Sequence, residues 1–284
     1  MHHLILGYGY CGYYLAQQLL KEKQKITTVS RHLEEQMRLP GVTHVTQDLN
    51  QPFHWTNPDS IIYYLIPPPS SGEQDVFLKK LLRPDTLQAK KMIYFGSSGV
   101  YGDHQGDWVS EVSPCHIESS RQKRRLDAEQ QWLAYGAKHH ISSLCLRIAG
   151  IYGPTRLPIQ AAQNQVPLIE PSQAPFSNHI YVKDLASIAI NLAKKEEALS
   201  IYNVSDGAPN VMGTLQQHTA KLLHMDPAPY ESFAEVFAKA SPMKQEFMRA
   251  SKQLSIERLK TTLGSSLQLT PLDTALKDAI DHEL

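Results

Sequence analysis

Gly7-Tyr8-Gly9-Tyr10-Cys11-Gly12 lies between an apolar run, Leu4-Ile5-Leu6, and a stretch with helical spacing. No other feature of the 284 residues restricts the fold as much. In a G-x-G-x-x-G turn the first glycine permits a tight bend and the second lets a pyrophosphate approach the backbone. The third lets the helix pack on the strand. That helix presents unpaired N–H groups and a partial positive charge to the phosphates. From Gly12 to Lys23, Tyr14, Leu15, Leu19 and Leu20 keep a helical period, and Lys25-Ile26-Thr27-Thr28-Val29 then reads as a β-branched strand. Strand, turn, helix and strand follow one another within about thirty residues, which predicts dinucleotide binding at Gly7, Gly9, Tyr10, Cys11 and Gly12. Without that context the hexapeptide would read as a plain tight turn.

The same alternation continues. Val42-Thr43-His44-Val45, Ser60 to Ile66, Lys91 to Phe95 and Ser143 to Ile148 read as strands, with helical text from about Ser120 to Lys138. Pro67-Pro68-Pro69 ends the second of these runs. Strands separated by helix-length segments predict an α/β fold, a Rossmann-type doubly wound parallel sheet. After Gly150 the text turns to proline and polar residues, then offers helices at Val182–Ala193 and Thr214–His224 and a helix-rich tail. The expectation is a dinucleotide-binding domain over 1–150 plus about 179–205. A smaller substrate-binding domain is expected from 151–178 and 206–284.

Composition narrows the function. Twenty-eight Lys+Arg balance twenty-eight Asp+Glu, which argues against a nucleic-acid partner bound through bulk charge. Three scattered cysteines suggest neither a disulfide framework nor a cysteine zinc site. The thirteen histidines show no H-x-x-x-H or H-E-x-x-H spacing on an apolar helix, so no metal is expected. No apolar run approaches the roughly 20 residues of a membrane span, and the start lacks a signal-peptide layout. A soluble cytoplasmic protein with a small-molecule substrate is expected.

The end of the second strand bears on cofactor choice. An acid there would bind the ribose 2′-hydroxyl, whereas a basic residue accommodates a 2′-phosphate. The sequence reads Val29-Ser30-Arg31-His32, with no acid before Glu34. Ser30 and Arg31 therefore favour NADP, with NAD left open; a solvated loop arginine is the other reading of Arg31. Asp48-Leu49 falls where adenine contacts can lie, although an aspartate there also suits a turn or cap.

Several motifs in order resemble the extended short-chain dehydrogenase/reductase family, the nucleotide-sugar epimerases and dehydratases. They are Gly7–Gly12, Phe95 to Gly102, Leu146 to Pro154, His179 to Ala186, Tyr202 to Gly207, and a closing segment with Ser251-Lys252, Arg258-Leu259 and Leu263-Gly264. The resemblance implies the fold, the cofactor and a catalytic Ser/Thr, which matches Ser97. It also implies a Tyr-x-x-x-Lys pair on a helix, where the lysine lowers the tyrosine pKa for proton exchange. None of the thirteen tyrosines has a lysine four residues later. Counting back from Glu129, where the family usually carries an acid, the two positions fall on Arg121 and Arg125. An arginine does not release a proton near neutrality. The chain thus most resembles the atypical members of the family, known only as epimerase/dehydratase-like.

Arg121 and Arg125 suit a phosphate or carboxylate of a ligand, or else a solvated helix face with internal ion pairs. Tyr101 is the best remaining phenol for proton transfer, against a packing role for its ring. His116 and Glu118 are weaker general-base candidates, and a surface role suits both. Tyr152 and His179 match family positions flanking the substrate pocket. The resemblance also implies a homodimer through two helices, for which Val76–Leu82 and Leu126–Leu133 are apolar enough. The leading expectation is an NAD(P)-binding epimerase/dehydratase-like oxidoreductase, acting on a small hydroxylated or nucleotide-sugar-like substrate through a non-standard site. The alternative is a non-catalytic NADP(H)-binding sensor or partner-binding module. A serine hydrolase has no G-x-S-x-G elbow to support it.

Overall fold

In the computed structural model, residues 1–83 and 86–282 are described. Seven strands make one central sheet: β1 (His2–Leu6), β2 (Lys25–Ser30), β3 (Val42–Thr46), β4 (Ser60–Tyr64), β5 (Lys91–Phe95), β6 (Ser142–Ile148) and β7 (Ile201–Val204). Their order is β7-β6-β5-β4-β1-β2-β3, and every neighbouring pair is parallel. This is the expected doubly wound sheet. The order reverses between β1 and β4, and ligands of such sheets bind outside the strand carboxyl ends at that reversal.

Burial explains the strand text. Parallel strands covered on both faces must be apolar throughout, and β4 (Ser-Ile-Ile-Tyr-Tyr) is buried at every position. The edge strand β3 instead alternates half-buried Val42 and His44 with exposed Thr43 and Val45. One face is covered by α1 (Tyr10–Lys21) and the Val182–Lys194 helix, where Leu15, Ala16 and Leu19 join Leu185, Ala186, Ile188 and Ala189 in one core. The other face carries α2 (Val76–Leu81) and α3 (Ser120–Lys138). There Trp132 is fully buried, its ring 5.5 Å from that of Tyr64. Truncating such a residue to alanine typically costs about 3–5 kcal/mol.

Helix boundaries follow local chemistry. α3 begins where the sequence predicts because Ser119 and Gln122 form a reciprocal capping box. α1 begins at Tyr10, a turn's fraction earlier than its apolar period, because Gly9 takes the extended conformation of a cap. Beyond residue 150 the chain folds back over the carboxyl ends. His179–Tyr181 pairs with Gly150–Tyr152, and Gln253–Leu254 pairs with Trp108–Val109. Asn178 ties these pairs together: its Nδ2 donates to the Lys252 carbonyl at 2.9 Å, and its Oδ1 accepts from the Leu254 amide at 2.8 Å.

Candidate functional site

Each glycine of the opening turn has its own steric reason. Gly7 has φ +96°, and a Cβ there would lie 2.7 Å from Ile66 Cγ1. A Cβ on Gly12 would come within 3.1 Å of the Gly7 carbonyl oxygen, so helix and strand approach closely. A Cβ on Gly9 would meet nothing within 4 Å. That space lies at the start of α1, which has no side-chain cap, so its first amides are left for an external acceptor.

The open space continues into a cavity of about 480 Å³ lined by Gly7, Gly9, Ser30, Arg31, Asp48 and Leu49 together with Pro67, Pro68 and Phe77. Six of the nine residues expected to bind cofactor are thus brought to one cavity. Arg31 is exposed and, among the described residues, has no hydrogen bond or ion pair. The Ser30 hydroxyl donates to the His32 carbonyl at 2.7 Å. Asp48 Oδ1 accepts from the Asn50 amide and side chain, both at 3.0 Å, the turn role that aspartate commonly takes. Tyr10, Cys11 and Gly12 sit behind this cavity in the first turn of α1. Arg156 stacks over the Tyr10 ring at 4.0 Å, and burial pushes the Cys11 thiol up to about 11.

A second crevice, of about 660 Å³, opens past the ends of β5 and β6. Ser97, Arg121, Arg125 and His179 line it together. Ser97 Oγ accepts from the Gly99 amide at 3.1 Å and so caps the short turn that follows β5. Arg121 reaches Glu246 at 3.4 Å and lies 4.8 Å from the Phe247 ring, both on the Pro242–Arg249 helix. Arg125 is half-buried; burial, with Arg121 nearby, lowers its pKa. His179 Nε2 is 3.0 Å from Ser177 Oγ, and burial brings the imidazole down to about 4, so it is neutral at physiological pH.

Two tyrosines are placed differently from expectation. Tyr101 does not face the crevice: it is fully buried, donates to Asn203 Oδ1 at 2.6 Å and carries the Arg147 guanidinium over its ring at 4.8 Å. Burial pushes the phenol up to about 12, so the packing reading replaces the proton-transfer one. Tyr152 is also buried, packed 5.7 Å from the Tyr181 ring, and does not line the crevice. His116 and Glu118 lie outside it, with His116 stacked on His104 at 4.3 Å.

Sequence reasoning missed Lys252, Glu246 and Arg156, all of which line the crevice. Lys252 is 6% exposed, its Nζ donates to the Gly102 carbonyl at 3.0 Å, and burial lowers its pKa to about 8. Its only signal was membership of the closing Ser251-Lys252 motif. Among the described residues no group of three or more His, Cys, Asp or Glu is placed to hold a metal, and no helix is long and apolar enough to cross a membrane.

Residues 81–205 match the model of the NAD dependent epimerase/dehydratase family, in line with the resemblance carried by the motifs. A comparison with proteins of curated function finds no match. Among solved structures, a functionally unknown conserved protein from Silicibacter pomeroyi DSS is similar over 100% of this chain and 99% of its own, with TM-score 0.81 and 26% identity. UDP-glucose 4-epimerase from Thermus thermophilus, solved with NAD, is similar over 99% of this chain and 98% of its own, with TM-score 0.75 and 16% identity. MoeE5, solved with UDP-glucuronic acid and NAD, is similar over the same shares with TM-score 0.75 and 19% identity. At such identities these two show a shared fold.

Proposed function

We propose that this chain is an NADP-dependent oxidoreductase of the epimerase/dehydratase type, acting on a small hydroxylated or nucleotide-sugar-like substrate. The observation that carries this reading is the clear space at Gly9, backed by uncapped amides of α1 and continuous with a cavity lined by Ser30, Arg31, Asp48 and Leu49. A pyrophosphate would use that clear space, which a side chain at position 9 would take up. The solved epimerase and MoeE5 structures that share the fold contain NAD, which supports a nicotinamide dinucleotide. The unpaired Arg31 beside Ser30 suits a 2′-phosphate. When bound, such a cofactor supplies a hydride acceptor or donor.

The residues of this chain would do the rest. Ser97, which lines the crevice, would hydrogen-bond a substrate oxygen, and Lys252, its pKa lowered by burial to about 8, would pass a proton at working pH. His179, held neutral, lines the pocket and offers a hydrogen bond rather than a charge. Segments 151–178 and 206–284 form the substrate-binding part. The exposed Val76 and Phe77 on α2 support a homodimer through α2 and α3; a sedimentation measurement giving only monomer would remove that element.

The test is an assay of NADPH consumption and NADP reduction across carbonyl compounds and nucleotide sugars. Turnover whose pH profile carries a limb near 8 that Lys252→Met abolishes supports the reading. Tight NADPH binding without turnover on any substrate favours a second one, a non-catalytic NADP(H)-binding module. That second reading is motivated by the burial of Tyr101 and by arginines standing where the relay pair is expected.

A further inference from the structure

Five cationic side chains, Arg121, Arg125, Arg156, Lys244 and Lys252, line the crevice, and Glu246 is its one carboxylate among the described residues. The chain as a whole is balanced in charge, so the excess is local. Like charges gathered in a cleft disfavour the compact state, and the same field draws in a ligand of opposite sign. Three of the five already have partners within the protein. Arg121 faces Glu246, Arg156 stacks on Tyr10, and Lys252 donates to Gly102.

Arg125 differs. It is half-buried, faces no carboxylate within ion-pairing distance, and makes no hydrogen bond among the described residues. Glu246 bonds Arg121 instead, one turn earlier on α3. A guanidinium partly withdrawn from water with no acceptor carries a cost that a bound anion would relieve. Its planar fork of N–H donors matches a carboxylate or phosphate through two parallel bonds. Arg121 stands four residues away, hence on the same side of the helix.

We propose that Arg125, assisted by Arg121, binds an oxyanion carried by the substrate at the end that enters beside Ser97, so that the substrate is an acidic sugar-like hydroxy compound. This rests on the functional reading above and specifies its substrate class. The oxyanion is a carboxylate on the sugar or a phosphate ester, and both present the same paired oxygens to the fork.

Calorimetric titration with D-glucose, D-glucuronate and D-glucose 6-phosphate, each with and without saturating NADPH, tests the assignment and separates its two arms. The expected result is that at least one charged sugar binds about tenfold or more tighter than glucose, about 1.4 kcal/mol. Arg125→Met should remove that advantage and Arg125→Lys should keep part of it, while both variants unfold at or above the wild-type temperature and hold NADPH within about threefold of wild type. Equal binding of all three sugars overturns the proposal, as does a preference that survives in Arg125→Met. So does a loss of NADPH affinity in Arg125→Met as large as the loss of the anion, which would make Arg125 a cofactor ligand. A preference for charged sugars that persists in a protein unable to bind NADPH supports the oxyanion site and refutes the cofactor reading alone.

Discussion

The Tyr101 hydroxyl donates a 2.6 Å hydrogen bond to the Asn203 side-chain oxygen, and the pair is sealed from solvent behind the crevice. Asn203 is in turn held by its Nδ2, which donates to the carbonyls of Val109 at 3.3 Å and Ser255 at 3.0 Å. The bond therefore joins the turn after β5 to β7 and to the closing segment. Tyr101→Phe should lower stability by about 1–3 kcal/mol, since it leaves a buried acceptor unpaired. NADPH affinity should stay at the wild-type value. Urea unfolding beside calorimetry checks both, and a stable variant that no longer binds cofactor would contradict the structural role.

Below this pair, Arg147 donates to Glu129 through Nε at 3.1 Å and Nη2 at 2.7 Å, with both side chains almost fully buried. Breaking such a pair from one side leaves a charge in the interior, a loss of about 3–5 kcal/mol. Glu129→Gln should therefore unfold at much lower denaturant concentration than wild type, as measured by circular dichroism. A midpoint within error of wild type would show that water reaches Arg147.

The Glu129 pairing also explains why part of the site was legible. An acid fixed by a buried arginine is a dependable origin for counting along α3, and steps of four residues stay on one side of a helix. Arg125 and Arg121 accordingly reach the crevice. The turn at Gly7–Gly12 was legible because strand, bend and helix are all local. Lys252 and Glu246 were not, because they arrive more than a hundred residues after Ser97 through short strand pairs and the Asn178 clamp that no periodicity announces. Tyr101 was misplaced for the same reason: its burial is decided by Arg147 and Asn203, on strands distant in sequence.

Acid stability should report on His179. Burial lowers its folded pKa from 6.5 to about 4, so on acidification the unfolded chain takes up the proton first. The stability from keeping it neutral is complete above 6.5 and is lost progressively as pH falls through about 4. His3 shares the direction, with its pKa also lowered by burial to about 4. Asp206 acts oppositely, because burial raises it to about 6 and its early protonation favours the fold. Comparing wild type with His179→Gln isolates one group. The loss of stability between pH 6.5 and 4 should be shallower in the variant, and parallel curves would contradict a neutral, buried imidazole.

Two glycines of the same turn should fail in different ways. Gly7→Ala meets Ile66 and a positive φ, so it should destabilise the fold by about 1 kcal/mol or more. Gly9→Ala meets nothing in the free protein and should unfold normally. Its methyl group would occupy the space assigned to the phosphates, so NADPH affinity should fall by about tenfold or more. Differential scanning calorimetry and binding titrations on the two variants separate these effects; undiminished NADPH affinity in Gly9→Ala would place the phosphates elsewhere.

Direct titration of the purified wild-type chain with NADPH and with NADH probes the dinucleotide assignment at its root. Saturable binding of one equivalent of NADPH per chain is expected, tighter than NADH, with Arg31→Ala removing the difference between the two. Absence of measurable binding of either dinucleotide would contradict the account.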